Sequence, residues 1–485
     1  MNILFAASEG VPFAKSGGLG DVIGAVPKSL LKLGADVRII LPKYEDIPQQ
    51  YKEQMEQKTV AYWNVHLGWR TQYCGIQELN LDGMTCYFVD NEYFFKRKGL
   101  YGYGDEAERF AFFSRAVLEA MPGIGFQPDI IHCHDWQTGL IPYMLKTKWK
   151  DHPFYANTKS VFTIHNLMYQ GIFDEELLRD LIGLEPWDTS IRELYHHDGV
   201  SCLKGGIAFA DKVSTVSDTY ASEIQTAEYG EYMDGLLRYR NADLRGIVNG
   251  IDNELYDPMK DHHIQMPFRD SLDKKHANKK ALQRELGLPE SERIPMVGMV
   301  TRLVEQKGLD LVEAVLHNIM EEDLQVVVLG TGDYRYEQML LGASRRWPEK
   351  LSANIRFDDG LARKIYAGSD MFLMPSKFEP CGIGQLLALR YRSVPIVRET
   401  GGLKDTVMPY NEFTGDGWGF SFSGYNAHDM LYTIRRATAF FHEKEQWCKL
   451  HKNIKKLDFS WDRSAKAYME LYKEVCGIQA AGKNS

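Results

Sequence analysis

Met374-Pro375-Ser376-Lys377-Phe378-Glu379-Pro380-Cys381-Gly382-Ile383-Gly384-Gln385, continued by Val394-Pro395-Ile396-Val397 and Glu399-Thr400-Gly401-Gly402-Leu403, is the stretch whose reading decides the fold. The run Met371 to Met374 reads as a buried strand. A glycine-bearing turn, a helix, a second buried strand and another glycine turn follow. That succession belongs to an open parallel sheet, where ligands lie beyond the carboxyl ends of the strands, at helix N-termini. Gly382 and Gly384 allow close approach to backbone N–H groups. Glu379 is the one carboxylate in this turn, and it would repel a phosphate, so its natural partner is neutral and rich in hydroxyls, such as a sugar. Most glutamates are simply exposed loop residues; the two neighbouring glycine turns favour the ligand reading here.

Working outward, 485 residues exceed what one hydrophobic core supports, so two large domains are expected. A net charge of -9 argues against nucleic acid or an anionic membrane as partner. Seven cysteines without a Cys-x-x-Cys pair suit reduced thiols in a cytoplasm. Residue 2 already opens a strand, so no leader is expected, and no apolar run reaches the ~18 residues a membrane helix needs.

Asn2 to Ala7 reads as a central strand, and Lys15-Ser16-Gly17-Gly18-Leu19-Gly20-Asp21 leads into a helix ending near Leu33. Val37 to Leu41 is the next strand. Clustered glycines at that helix start suit phosphate or sugar contacts, with Lys15 placed to offset charge, although this is not the dinucleotide fingerprint. Thr59 to Leu67, Gln72 to Leu81 and Met84 to Val89 predict a β-rich insertion. The loop from Phe94 to Tyr103 carries aromatics that could stack on sugars or pack; the sequence leaves this open. His132 and His134 share a strand face and could bind a metal, but no third ligand accompanies them, and none is expected. Asp135 at that strand's end, and His165 at the end of Ser160 to Asn166, are the better candidates. Lys212 to Ser217 and Gly246 to Gly250 close this half.

A polar segment at 253–273 follows, placing the domain boundary near residue 250: domains at 1–250 and 251–459, with 460–485 packing back on the first through a stripe of Trp461, Ala465, Tyr468, Met469 and Tyr472. In the second half, Pro295 to Val300, Gln325 to Gly330, Asn354 to Phe357 and Gly419 to Phe422 read as strands. Arg302 and Lys307 stand between a strand and the helix Leu309 to Met320, where a guanidinium fork and an ammonium could clamp a pyrophosphate. Lys15 to Asp21 is echoed by Glu399 to Asp405. The fold class is therefore α/β: two Rossmann-like doubly wound domains facing across a cleft.

Seven ordered motifs carry a resemblance across nearly the whole chain. They are Lys-Ser-Gly-Gly-Leu at Lys15, His-x-His-Asp-Trp at His132, Thr-x-His-Asn at Thr163, Asn-Gly-x-Asp at Asn249, Arg-Leu-x-x-Gln-Lys-Gly at Arg302, Phe-Glu-Pro-Cys-Gly at Phe378 and Thr-Gly-Gly-Leu at Thr400. The chain resembles the bacterial glycogen synthases and plant starch synthases, retaining glucosyltransferases of the GT-B fold. The resemblance implies ADP-glucose as donor, glycogen or another α-1,4-glucan as acceptor, and no cofactor. The catalytic set it implies is Lys15, Asp135, His165, Arg302, Lys307 and Glu379. Gly17, Gly18, Asp21, Asn249, Phe357, Cys381, Gly382, Ile383, Gly384, Thr400, Gly401 and Gly402 would add substrate contacts, Phe357 by stacking on adenine. Ser16 and Gly384 stand where the family often has Thr, and Phe357 where relatives carry Tyr. Other readings on this architecture are a nucleotide-sugar epimerase, a glucan phosphorylase, or a glucan-binding protein without catalysis.

The candidates divide between the halves, so both must contribute, with hinges expected near Gly250 and Ser460. No Asp-x-Asp occurs, so leaving-group charge falls to Arg302, Lys307 and helix N-termini. Transfer activity is therefore expected to survive EDTA. Complete loss with chelator, restored by Mn²⁺, would contradict this and return His132 and His134 to consideration as ligands.

Overall fold

The computed structural model describes residues 1–478. Of the segment 460–485, residues 479–485 lie outside the described residues. The chain forms two compact units: residues 1–249 with the C-terminal helix Trp461–Val475, and Gly250–Ser460.

In the first unit, Ile3, Leu4, Phe5 and Ala6 are wholly buried and make the central strand, Asn2–Ala6. The nine-stranded sheet runs Leu244–Gly246, Lys212–Thr215, Lys159–Ile164, Ile130–His134, Asn2–Ala6, Asp36–Pro42, Met84–Asp90, Arg70–Leu81, Thr59–Leu67. The β-rich segment joins this same sheet. Met84–Asp90 pairs parallel with Asp36–Pro42, and the other two strands follow antiparallel. Strand order reverses at Asn2–Ala6, flanked by Asp36–Pro42 and Ile130–His134, so the crevice beside it is where a ligand would be sought. A small sheet of Ile172–Phe173, Gly199–Ser201 and Tyr195–His196 was not foreseen; strands of two or three residues leave too short a pattern to read.

The C-terminal helix lays Trp461, Ser464, Ala465, Tyr468, Leu471 and Tyr472 against this unit, with Met469 only half-buried. Ser29 Oγ donates to Asp462 at 2.8 Å, and Ser464 Oγ to the Val248 carbonyl at 2.7 Å. The expected strand Gly246 to Gly250 lies earlier, at Leu244–Gly246; beyond it Ile247 N still donates to the Thr215 carbonyl, and the Val248 carbonyl accepts from the helix instead.

The second unit is a six-stranded parallel sheet: Leu351–Asn354, Gln325–Leu329, Met296–Val300, Met371–Met374, Val394–Arg398, Phe420–Phe422. Its order reverses between Met296–Val300 and Met371–Met374. The expected strand Asn354 to Phe357 lies earlier, at Leu351–Asn354. Asp358 caps the next helix by accepting from Leu361 N, so the residues before it must turn. The polar segment 253–273 is woven into this unit. Ile264 and Phe268 are buried, and Arg363 and Arg390 donate to the carbonyls of Leu255 and Tyr256.

Close backbone approach fixes several glycines here. Gly308 has φ +76°, and a Cβ there would stand 2.2 Å from the Pro375 carbonyl oxygen. A Cβ on Gly402 would stand 2.0 Å from that of Cys381. Gly308→Ala is expected to cost about 2 kcal/mol or more, from left-handed strain plus a backbone clash. At this domain size, that lowers the midpoint of the unit's thermal transition by roughly 4–8 °C. An unchanged midpoint by calorimetry would show that the two loops are not locked together.

Candidate active site

Glu9 follows the central strand of the first unit and is 2% exposed. Its carboxylate accepts from Ser16 N at 2.6 Å, Ser16 Oγ at 2.7 Å, and Gly17 N and Gly20 N at 3.2 Å each. The N-terminus of the helix Gly18–Lys32, expected to receive phosphate or sugar, is thus occupied by the chain's own anion. Lys15 Nζ stands outside this nest, paired with Asp21 Oδ1 at 2.7 Å and about half exposed. Glu9 was missed by sequence reading, since one glutamate six residues before a lysine carries no signal of its own.

Asp135 and His165 end neighbouring strands. Asp135 adopts φ 56°, ψ -178°, a conformation disfavoured for any residue but glycine. Its Oδ1 accepts from His165 N at 2.8 Å. Its surface is partly accessible, yet burial pushes its carboxyl up to about 7, opposed by the backbone N–H groups of His165 and Asn166 and reinforced by the charge of Glu9. Burial holds His165 down to about 3, so its imidazole is neutral. Its Nε2 is 3.0 Å from His134 Nδ1. Asn249 is buried at the end of this unit, and among the described residues its Oδ1 has no hydrogen-bond partner.

His132 belongs to the core. Its Nδ1 meets Tyr472 OH at 2.7 Å and its Nε2 meets Thr163 Oγ1 at 2.6 Å, which in turn is 2.6 Å from Ser214 Oγ. With both ring nitrogens engaged, His132 offers nothing to a metal. Among the described residues, one group of three potential ligands occurs, Asp261, His262 and His263. There Asp261 already accepts from Tyr391 OH and lies 3.5 Å from the Arg363 guanidinium, a charge that disfavours a cation.

The aromatic loop is decided in favour of packing at its start. Phe94 and Phe95 are fully buried, and the buried Arg109 guanidinium holds the loop through the carbonyls of Phe94 and Leu100. Accessible aromatics gather elsewhere, around a cavity of about 410 Å³ lined by Trp136, Met168, Tyr169, Phe173, His196 and Tyr232. Its Trp136 directly follows Asp135. Sequence reading missed Tyr169 and Tyr232 because single tyrosines, scattered along the chain, show no pattern.

In the second unit, Lys307 Nζ lies 2.5 Å from Glu379 Oε2, to which Ser376 Oγ also donates at 3.0 Å. Glu379 is 6% exposed. The two residues come from the loops on either side of the strand-order reversal. Arg302 is exposed, with a single long contact to Gln306 Oε1 at 3.4 Å. Gly330 and Gly332 matter more than their short match indicated. A Cβ on either would strike the carbonyl of Thr301 or Leu303, so these glycines seat the loop that presents Arg302.

Cys381 is buried, and Gly382, Ile383 and Gly384 are half-buried around the start of the helix Gly384–Arg390. Gly382 has φ +73°, and Gln385 Nε2 donates to the carbonyls of Cys381 and Gly382. Thr400, Gly401 and Gly402 lie buried beneath them. Gly402 N donates to the Glu379 and Pro380 carbonyls, so the two glycine turns are stacked on each other. Phe357 is 93% exposed, in the loop after Leu351–Asn354.

Comparison with known proteins gives concordant results. The family profile "Starch synthase catalytic domain" matches residues 2–239, and "Glycosyl transferases group 1" matches residues 278–456. A glycogen synthase from Desulforamulus reducens is 54% identical over 476 residues, 98% of this chain and 99% of that protein. The catalytic domain of starch synthase IV from Arabidopsis thaliana, solved bound to ADP and acarbose, is 33% identical with a TM-score of 0.86, covering 98% of this chain and 99% of that one. A sucrose-phosphate synthase from Thermosynechococcus elongatus, at 16% identity and TM-score 0.62 over 99% of this chain and 100% of that one, shares the fold. Among the described residues, no helix is long and apolar enough to cross a membrane.

The raised Asp135 carboxyl has a consequence for stability. An aspartate ordinarily titrates near 4 when unfolded. Between about pH 4 and 7 the folded protein therefore holds a proton that the unfolded chain has lost, so stability falls as pH rises through that window. Asp135→Asn keeps an acceptor for His165 N and removes this titration. The variant's melting temperature, relative to the parent's, is expected to climb between pH 5 and pH 8. A difference that stays flat would mean the carboxyl titrates normally.

Proposed function

The chain belongs to the glycogen synthase family, a family of glycosyltransferases, and from that footing we propose that it transfers glucose from ADP-glucose to the non-reducing 4-hydroxyl end of an α-1,4-glucan, with retention of configuration. The observation that carries this reading is the cluster at the second unit's strand-order reversal. An exposed Arg302 with almost no partner of its own stands on the same loop as Lys307, whose ammonium already neutralises the buried Glu379. A diphosphate needs the first. A glucosyl group needs the second arrangement, where a carboxylate can accept from hydroxyls without repelling the neighbouring phosphates.

In this reading Gly250–Ser460 serves as the donor side. Arg302 and Lys307 meet the diphosphate, Phe357 stacks on adenine, and Glu379 binds sugar hydroxyls beside the turn Cys381-Gly382-Ile383-Gly384. Thr400, Gly401 and Gly402 support that turn from below. The first unit, 1–249, serves as the acceptor side. Lys15, Gly17, Gly18 and Asp21 face the donor's phosphate and sugar, while Asp135, His165 and Asn249 line the glucose pocket. His165, held neutral, can donate from one ring nitrogen without adding charge, and the unpartnered Asn249 Oδ1 is free to accept a hydroxyl. The aromatic cavity at Trp136 would stack the glucan's rings.

Retention by double displacement needs a carboxylate free to attack C1. Glu379 is tied to Lys307 and Ser376, and Asp135 to the backbone of His165. We therefore favour a single step on the face the phosphate leaves. The C1–O bond to the β-phosphate breaks, that oxygen takes the proton of the glucan 4-hydroxyl, and the new C1–O4 bond forms, leaving ADP. Arg302 and Lys307 stabilise the negative charge that grows on the leaving oxygen.

Labelled ADP-glucose offered with glycogen tests the whole reading; absence of ADP release and of labelled polymer would reject it. Arg302→Ala is expected to lower kcat/KM about 100-fold or more, on the order of 3 kcal/mol of lost charge stabilisation. A change within about threefold would remove Arg302 from the diphosphate site.

A further inference from the structure

Glu9 lies outside every role assigned above, yet its side chain accepts four hydrogen bonds within the first unit's crevice. Two backbone N–H groups at 3.2 Å, one at 2.6 Å and the Ser16 hydroxyl at 2.7 Å converge on its two oxygens. Among the described residues, no ammonium or guanidinium lies within ion-pairing distance of it. A carboxylate 2% exposed is tolerable without a cation only when such donors replace its water, and helix N-terminal amides do this well. The geometry also shapes what lies outside the nest. Ser16 and Gly17 are pinned from within, which leaves Lys15 projecting from the pinned segment. A Cβ on Gly20 would stand 3.1 Å from Lys15 Cγ, so the lysine's aliphatic stem lies directly over that glycine.

We infer that Glu9 is a positioning residue for the transfer reaction. Its carboxylate fills the helix N-terminus in place of an external anion, holds the Ser16–Gly20 turn, and thereby fixes where Lys15 and the Gly17–Gly18 backbone stand. This rests on the reading that Lys15 and that turn face the donor. It also goes further: the donor's diphosphate does not sit in the amide nest of Gly18–Lys32, and Lys15 is the group there that meets negative charge.

The test compares Glu9→Gln, Glu9→Ala and Lys15→Ala in the full-length protein, using ADP-glucose and glycogen. Glu9→Gln keeps the shape but turns an NH2 toward N–H groups. It is expected to lower kcat about tenfold or more with KM for ADP-glucose little changed, because a displaced Lys15 loses contacts made in the transition state. Glu9→Ala leaves the nest open to a small carboxylate, so formate or acetate at tens of millimolar should restore its kcat about fivefold or more, where chloride at equal ionic strength does not. A general loss of stability would not respond to formate in this way. If Lys15→Ala is impaired while both Glu9 variants stay within about threefold of the parent, the positioning role is wrong and the reading of Lys15 stands. If Lys15→Ala itself is unaffected, the reading of Lys15 fails and takes this inference with it. A folded, impaired Glu9→Ala protein that formate does not rescue overturns the inference as well. Should Glu9→Ala fail to fold, the kcat-against-KM split of Glu9→Gln decides.

Discussion

The Lys307–Glu379 contact, 2.5 Å long with the carboxylate buried and the lysine half-buried, is the interaction around which the second unit's loops are arranged. Burying two charges costs several kcal/mol each, recovered only when they meet in good geometry and their remaining capacity is satisfied. Every neighbouring feature serves that condition. Gly308 lets the Lys307 loop touch Pro375, Ser376 supplies a further donor, and Gly401 and Gly402 let the second turn close on the backbone of Glu379 to Cys381. Arg302, on the same loop as Lys307, escapes the arrangement and remains exposed. Lys307 is thus held in place by the carboxylate it neutralises, while Arg302 stands in solvent.

The first unit solves the same problem differently. Among the described residues no cation pairs with Glu9, and the amides of a glycine turn take its place. The glycines of Lys15 to Gly20 and those of Thr400 to Gly402 echo each other in sequence, but their uses differ. The former wrap a side-chain carboxylate; the latter admit backbone carbonyls. Similar motifs at similar places in two Rossmann-like units thus serve close approach in two different ways.

A buried polar ladder links this crevice to the C-terminal helix. Tyr472, His132, Thr163 and Ser214 are joined by contacts of 2.6–2.7 Å, and His134 packs at a tilt against His132 while reaching His165. Burial keeps the ring pKa values of His132 and His134 well below their ordinary range. Neutral imidazoles can each donate once and accept once, which is what such a chain requires. The last helix is therefore more than a lid on the first core, because its tyrosine satisfies a nitrogen in the middle of the sheet.

The sequence by itself determined the alternation of buried apolar strands, glycine turns and helices, and hence the α/β class and two Rossmann-like halves. It placed Met371–Met374 and most other strands to within a residue or two, since wholly buried parallel strands are continuous apolar runs. It also marked Lys15, Asp135, His165, Arg302 and Glu379 as strand-end residues, because chain order fixes which side chains leave the carboxyl ends of a parallel sheet. Only the tertiary structure decided which of them meet. The pairing of Lys307 with Glu379 spans 72 residues, and the bond from Tyr472 to His132 spans 340, so neither leaves a local periodicity. The occupation of the Lys15 turn by Glu9 was equally hidden. A short loop can direct a glutamate outward to water or inward to amides, and the choice depends on whether three-dimensional packing buries it.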